Sequence, residues 1–229
     1  MSLDDREYSI AAVSRELRNE ICSIAKINLE SGPSPFPHAH QLPMSDKRLL
    51  VRSVFTFVES LSYLLKIQAL HLLSPDQVSF GDRLVAQEEA FELGDDGVVK
   101  QRAGKLRTIS NIRFAFKFYA KAYENDFELD VASRGWQCLR RSLKVRDRLT
   151  HPKKLSDLLV ADDEYTDSVK TFIWFERQIM RAQDSLIRAQ EAALRALKKE
   201  ISDRGLRKMG TSAPLTPMPP PPPGIDDDV

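Results

Sequence analysis

Cysteine is scarce in this 229-residue chain, which contains only Cys22 and Cys138. The two cysteines lie far apart and form no CxxC pair, so the sequence indicates neither a disulfide framework nor a zinc site. Long apolar runs are also missing, because no stretch approaches the roughly 20 apolar residues that a membrane-spanning helix needs. The N-terminal stretch MSLDDREYSI is polar and acidic, unlike a secretory signal. We therefore expect a cytoplasmic protein that does not enter a membrane.

A large excess of charge is lacking too, since the formal net charge is +1 at pH 7. Binding to nucleic acid would therefore depend on a local cluster of basic residues. Such a cluster lies between Arg134 and Lys154, where eight lysines and arginines accompany a single acid, Asp147. A solvated helix face is the ordinary explanation of such a run, and a phosphate-binding surface is the alternative.

Helical periodicity dominates what is present, and no segment shows a convincing strand pattern. Ser45 is expected to cap the second helix, and GDDG at 94–97 to form a turn. Glu59 lies within that apolar second helix, where a solvent-facing position is the default and pairing with a basic site residue is the alternative. The predicted fold class is all-α, an antiparallel helical bundle. The predicted helices cover residues 3–30, 45–73, 81–93, 106–124, 130–150 and 162–203.

Proline marks the predicted boundaries. Four prolines in SGPSPFPHAHQLP separate an N-terminal helix and loop, residues 1–45, from a helical domain over residues 46–209. Residues 210–229 form a proline-rich, acidic stretch and predict a disordered tail. His38 and His40 form an HxH pair in the loop, but no third ligand is near, so we expect no metal ion and no other cofactor.

The last predicted helix is too long for a small bundle to cover. We therefore expect its second half to project or to pair with a partner chain.

The stretch VRDRLTHPK, residues 145–153, places one of only four histidines in the basic cluster. Arg146 offers a planar fork of donors that matches phosphate oxygens, and His151 can transfer a proton near neutral pH. Residues five apart lie about 140° apart on a continuous helix. Pro152 predicts that the helix ends at His151, which lets the imidazole turn back toward Arg146. Asp147 is a candidate acceptor for an imidazole N–H.

These residue types suit cleavage of RNA without a metal, in which the ribose 2′-hydroxyl attacks the adjacent phosphate. A single histidine is few for a reaction that needs both an acid and a base, and a symmetric dimer would supply a second copy. Further basic residues beside the motif are predicted to bind the RNA. They are Arg141, Lys144, Arg148, Lys153 and Lys154.

The motif and its setting resemble the HEPN family. Its R-[polar]-x3-H motif is matched by Arg146-Asp147-Arg148-Leu149-Thr150-His151, which continues into HPK. The surrounding GWQCLRRSLKVRDRLTHPKKLSDL and the long helix after it also resemble HEPN proteins, and the resemblance covers about residues 46–190. One branch of the family has a tyrosine two residues after the histidine that receives a nucleotide modification. This chain has Lys153 there, so the resemblance does not carry that regulation over.

The resemblance implies a HEPN-like helical bundle that forms a homodimer. In it two facing motifs build a composite ribonuclease site, with Arg146, Asp147 and His151 as catalytic residues. Many HEPN proteins act as toxins or as defence and stress ribonucleases.

Three hypotheses stay open at this point. The first is a metal-independent endoribonuclease, such as a toxin or an antiphage or stress-defence effector. The second is a non-catalytic HEPN-like module that binds RNA, nucleotides or a partner protein. The third is a structural helical adaptor. The sequence identifies neither the RNA substrate nor an antitoxin.

Overall fold

The structure is a computed structural model that describes residues 9–24, 39–93, 95, 97–104 and 106–210, with side chains given as far as residue 202. The described residues confirm the all-α fold class, with one small hairpin added. The contacts divide the chain into two compact units, residues 1–189 and 190–229. The elements in chain order are α1 (Ile10–Ile24), α2 (Met44–Leu72), α3 (Phe80–Gln87), β1 (Glu89–Leu93), β2 (Val99–Ala103), α4 (Thr108–Ala122), α5 (Arg134–Thr150) and α6 (Asp162–Gly210).

Helix α2 forms the centre of the first unit. Its apolar residues face in several directions because α1 and α4 both pack against it. Phe57 is fully buried and meets Phe172 and Phe175 of α6 edge to face, with ring centroids 5.1 and 6.0 Å apart. Burying each such ring stabilises the fold by about 1.5–3 kcal/mol. Helix α5 packs against α2, whose position relative to α6 is set by these aromatic contacts.

The first helix belongs to the same core. Ile10 and Ile21 of α1 are buried together with core residues of α2. Of the predicted helix over residues 3–30, the structure shows Ile10–Ile24, and residues 3–8 and 25–30 lie outside its described part. His38 and the tail from residue 211 also lie outside it.

The predicted cap of α2 is wrong. The helix begins at Met44 with Pro43 as its N-cap residue, and no side chain caps it. The Ser45 hydroxyl instead donates a hydrogen bond to the carboxylate of its neighbour Asp46, at 3.1 Å. Since Ser45 is already inside the first turn, its oxygen is not placed to accept the N–H groups that a cap serves.

The predicted helix over residues 81–93 ends early, and its second half is a strand. Glu88 adopts a left-handed conformation, with φ 56° and ψ 37°, which stops α3 at Gln87. Strands β1 and β2 then pair antiparallel from Glu89 opposite Ala103 to Leu93 opposite Val99. Two contacts hold Glu88 in this conformation. Its carbonyl accepts the Gly104 N–H at 2.6 Å, and its carboxylate accepts Lys66 Nζ at 2.7 Å.

Two further findings concern the helices as a group. Among those described, none combines the length and the apolar character needed to cross a membrane. In the second unit, the described side chains from residue 190 to residue 202 are all exposed.

Candidate functional site

Helix α5 ends where the sequence predicts. Thr150 is its last residue, and His151 leaves the helical conformation with φ −127° and ψ 62°. The His151 N–H still donates to the Asp147 carbonyl, at 3.1 Å. Pro152 explains the break, because proline disfavours helical geometry in the residue before it. The imidazole is therefore carried by the first residue past the helix, and it is exposed.

Arg146 is held in one position by contacts from three helices. Its Nη2 contacts the Glu59 carboxylate of α2 and donates to Thr108 Oγ1 of α4 at 3.1 Å. Its Nη1 lies 3.3 Å from Asp147 Oδ1. The guanidinium also lies over the Phe55 ring, 5.3 Å from its centroid. With 22% of its side chain exposed, Arg146 presents a pre-oriented cation at a surface cleft.

That cleft lies between α2 and α5. Its volume is about 400 Å³. Arg52 reaches across it and donates from Nη2 to the Leu149 carbonyl at 3.2 Å, which ties the last turn of α5 to α2. We call this space the Arg146 cleft. It is lined by Arg52, Phe55, Thr56, Glu59, Arg146, Leu149 and Thr150.

Glu59 takes the alternative position that the sequence left open, since it pairs with a basic site residue. Its side chain is about half exposed, at 47%. Partial burial raises the pKa of Glu59 above its ordinary value, while the facing Arg146 guanidinium opposes this rise. A carboxyl group that titrates closer to neutrality can exchange protons with a bound ligand. The Arg146 cleft thus contains a titratable carboxyl group of its own.

Of the three predicted catalytic residues, Arg146 and Asp147 form a pair, and His151 stands apart from them. Asp147 pairs with Arg146 rather than with His151, and its side chain is 60% exposed. His151 is not among the residues that line the Arg146 cleft. Its imidazole makes no hydrogen bond that the described part of the chain shows. The proposed hydrogen bond from the imidazole to Asp147 is therefore not formed in this structure.

Two of the predicted RNA-binding residues are occupied by carboxylates of α6. Arg141 binds Asp167 through two hydrogen bonds of 2.5 and 2.9 Å. Arg148 binds Glu164 through two hydrogen bonds of 2.9 Å and also donates to the carbonyls of residues 157 and 159. These hydrogen bonds hold the pKa values of Asp167 and Glu164 below their ordinary range. Both arginines thereby fasten α5 to α6, and their charges are compensated.

The three predicted lysines have a different environment. Lys144, Lys153 and Lys154 are exposed, and no ion pair of theirs is seen within the described ranges. The backbone N–H groups of Lys153 and Lys154 donate to Asp157 Oδ2, at 2.9 and 3.1 Å. This turn positions both residues directly after His151, where their ammonium groups can attract a polyanion.

Glu59 and Thr108 are the site residues that sequence reasoning did not assign. The one available signal for Glu59 was an acid inside a long apolar helix, and Thr108 gave none. For a metal ion, no group of three histidine, cysteine or carboxylate side chains lies close enough together among the described residues.

Comparisons with models of protein families, with curated proteins and with solved structures give no match to this chain. The HEPN resemblance therefore rests on the motif residues and their setting.

Proposed function

We propose that the protein is a metal-independent endoribonuclease of the HEPN type that acts as a homodimer. The observation that carries this proposal is the placement of Arg146, held at a surface cleft five residues before the exposed His151. A fixed guanidinium five residues before an exposed histidine suits charge stabilisation and proton transfer at a phosphodiester.

The proposed reaction uses the 2′-hydroxyl of the RNA as its nucleophile. A base removes the proton of this hydroxyl, its oxygen attacks the adjacent phosphorus, and the bond from phosphorus to the 5′ oxygen breaks. An acid then protonates the 5′ oxygen, which leaves a 2′,3′-cyclic phosphate and a 5′-hydroxyl. Arg146 stabilises the growing charge on the phosphate oxygens, and His151 serves as acid or base.

A second proton-transfer group is needed, and the homodimer supplies it as His151 of the other copy. The exposed apolar residues Leu194, Leu197 and Ile201 support association of two copies, because they lie on one side of a helix with heptad spacing between residues 194 and 201. A ribonuclease of this kind would act as a toxin or as an antiphage or stress-defence effector, restrained by an antitoxin or another partner protein.

The second candidate is a non-catalytic module that binds RNA, nucleotides or a protein. The pairing of Arg146 favours it, since Glu59 and Asp147 both contact the guanidinium and compensate its charge. In this reading the cleft is a structural junction, and the exposed lysines after His151 bind the partner.

Cleavage of RNA in EDTA separates these candidates. The endoribonuclease is expected to cut mixed RNA in the presence of the chelator, and His151→Ala to lower the rate by about 10²–10⁴-fold. His71→Ala, which removes an exposed histidine from the end of α2, is the matched control and should cut at the wild-type rate. RNA that is bound but left intact by both wild type and His151→Ala would favour the second candidate. No binding at all would favour the structural adaptor.

A further inference from the structure

A second cavity lies at the opposite end of α5 from the Arg146 cleft. It has a volume of about 580 Å³ and is formed by the start of α5 and the middle of α6. We call it the basic cavity. The residues that define it here are Asp130, Arg134, Lys170, Trp174, Arg177 and Arg181.

Basic side chains outnumber acidic ones around the basic cavity, where four cations and one acid line a wall that also contains apolar residues. Arg134, Lys170 and Arg177 form no ion pair with any residue that the structure describes. Arg181 contacts neutral groups: it donates to Gln178 Oε1 at 2.9 Å, and its guanidinium lies over the Phe127 ring, 5.6 Å from the centroid. Four cations thus surround one space, and the carboxylates that act on them are Asp130 in the wall and Asp167 near Lys170. The remaining excess of positive charge favours an anionic occupant.

The one acid of the wall is already committed to a turn. Asp130 accepts the Ser133 N–H on Oδ1 at 3.1 Å, and its carbonyl accepts the Ser133 hydroxyl at 3.2 Å. These hydrogen bonds form a turn before α5. The Asp130 carboxylate therefore accepts a backbone N–H and is not paired with one of the cations. Asp130 therefore offsets the field of the four cations only in part.

Two further features lie at the wall of the basic cavity. Gly135 brings the first turn of α5 to the cavity, where the positive end of the helix dipole strengthens the field. Trp174 is 7% exposed, and its indole N–H is buried without an acceptor among the described residues. The contrast with Arg141, Arg146 and Arg148 is plain, because carboxylates occupy all three of those guanidinium groups.

We infer that the basic cavity binds phosphate groups of an RNA strand at a distance from the point of cleavage. The inference rests on the proposed ribonuclease function for its choice of ligand. Guanidinium forks match phosphate oxygens, and the three arginines of the cavity offer such forks together with the Lys170 ammonium. The basic cavity lies beside residues 134–138 of α5 and the Arg146 cleft beside residues 146–150, so the two sites are roughly 18 Å apart along the helix axis. An RNA strand of several nucleotides spans that distance and is held at both ends.

Binding of an uncleavable RNA tests the inference. The probe is a fluorescent 2′-O-methyl oligonucleotide, which lacks the attacking hydroxyl, and the readout is the dissociation constant from anisotropy over a range of salt concentrations. Lys170→Gln with Arg177→Gln is expected to weaken binding by about 10-fold at low salt and to reduce the salt slope by about 1.4, since two phosphate contacts are lost. Arg15→Gln with Lys117→Gln removes the same charge from exposed positions outside both sites and is the matched control. Equal affinity of the two double variants would overturn the inference.

Competition identifies the ligand chemistry. We expect unlabelled RNA to displace the probe from the wild-type protein at far lower concentration than inorganic phosphate or ATP. If ATP or phosphate displaces the probe as effectively as RNA does, the ligand of the cavity is a small phosphorylated molecule and not an RNA strand. If polyglutamate at equal charge concentration displaces the probe as effectively as RNA does, the ligand is an acidic peptide. Either result would overturn the inference.

Cleavage of unmodified RNA in EDTA is measured separately, so the two proposals can fail independently. Cavity-dependent binding without cleavage contradicts the proposed ribonuclease and supports the basic cavity. Cleavage accompanied by cavity-independent binding supports the ribonuclease and contradicts the basic cavity.

Discussion

The arginines of α5 differ in what surrounds their charge. Arg148 is bound by Glu164 of α6 and by two backbone carbonyls of the segment between α5 and α6, so it connects α5 to both. Arg141 is bound by Asp167 in a similar way. At the start of the helix, Arg134 has no such partner among the described residues. The number of basic residues in a stretch of sequence therefore does not tell how many of their charges are already paired with a carboxylate in the folded protein.

The pairing of Glu164 with Arg148 predicts a pH-dependent contribution to stability. The hydrogen bonds from Arg148 hold the pKa of Glu164 below its ordinary value of 4.5. The unfolded chain therefore binds the proton more readily, so the stabilisation is present above pH 4.5 and is lost as the pH falls through the lowered pKa. Glu164→Gln should lower the free energy of unfolding by about 1 kcal/mol at pH 7. The difference from wild type should shrink by pH 3.

Urea unfolding at the two pH values measures this effect. Glu191→Gln removes the acid of an exposed pair with Arg195 and should change stability little at either pH. A gap between wild type and Glu164→Gln that stays constant or widens toward pH 3 would contradict the assigned pairing.

At the element scale, the contact between α5 and α6 depends on a glycine. A Cβ added at Gly135 would overlap the Trp174 side chain, so the start of α5 approaches α6 at a distance that no larger residue allows. Gly135→Ala should destabilise the protein by about 1–3 kcal/mol, because α5 or the indole must shift. Gly81→Ala in α3 is the control, since the nearest atom to its added Cβ is 3.9 Å away. A Gly135→Ala protein as stable as Gly81→Ala would show that the two helices are not in close contact.

The β-hairpin is anchored by a buried lysine. Lys66 is fully buried, and its Nζ donates to Glu88 Oε1 at 2.7 Å and to Asn111 Oδ1 at 2.8 Å. Burial lowers the pKa of Lys66, an effect that the Glu88 carboxylate opposes. Lys66→Met should release Glu88 from its left-handed conformation and speed hydrogen exchange in residues 89–103. Exchange within α4 should change much less, and unchanged protection of the hairpin would contradict this anchoring role.

The sequence predicts the end of a helix or strand when local residues determine it, and fails when contacts from distant parts of the chain do. Helix α2 is predicted to within a residue or two, because its apolar pattern and the prolines on either side of it, Pro43 and Pro75, are local signals. The end of α3 is not predicted, because Glu88 is held by Lys66 and Gly104, which come from other parts of the chain. Periodicity carries no information about such contacts.

The same distinction applies to the candidate site. Arg146 and the helix break at His151 follow from the motif and from Pro152. The partner Glu59 lies 87 residues away along the chain, and its pairing exists only after α2 and α5 have packed. The compensation of Arg141 depends likewise on α6, so the sequence could not tell compensated arginines from available ones.

At the scale of the whole molecule, the proposed reaction needs two copies of the chain. Leu194, Leu197 and Ile201 are 52%, 53% and 63% exposed, and their positions fall within about 60° around the helix axis. Leu194→Glu with Leu197→Glu should convert a dimer to a monomer in sedimentation equilibrium, because like charges would face each other across the contact. Ala192→Glu with Ala196→Glu places the same charge on the opposite side of the helix and should leave the dimer intact. A wild-type monomer at all concentrations would contradict the homodimer.

The most direct test of the proposed function is the chemistry of the ends that cleavage leaves. Wild-type protein is incubated with a defined RNA in EDTA, and the fragments are identified by mass spectrometry. The proposed reaction leaves a 2′,3′-cyclic phosphate on one fragment and a 5′-hydroxyl on the other, and it does not cleave the 2′-O-methyl strand. Fragments with a 3′-hydroxyl and a 5′-phosphate, or cleavage of the 2′-O-methyl strand, would contradict it, as would RNA that stays intact.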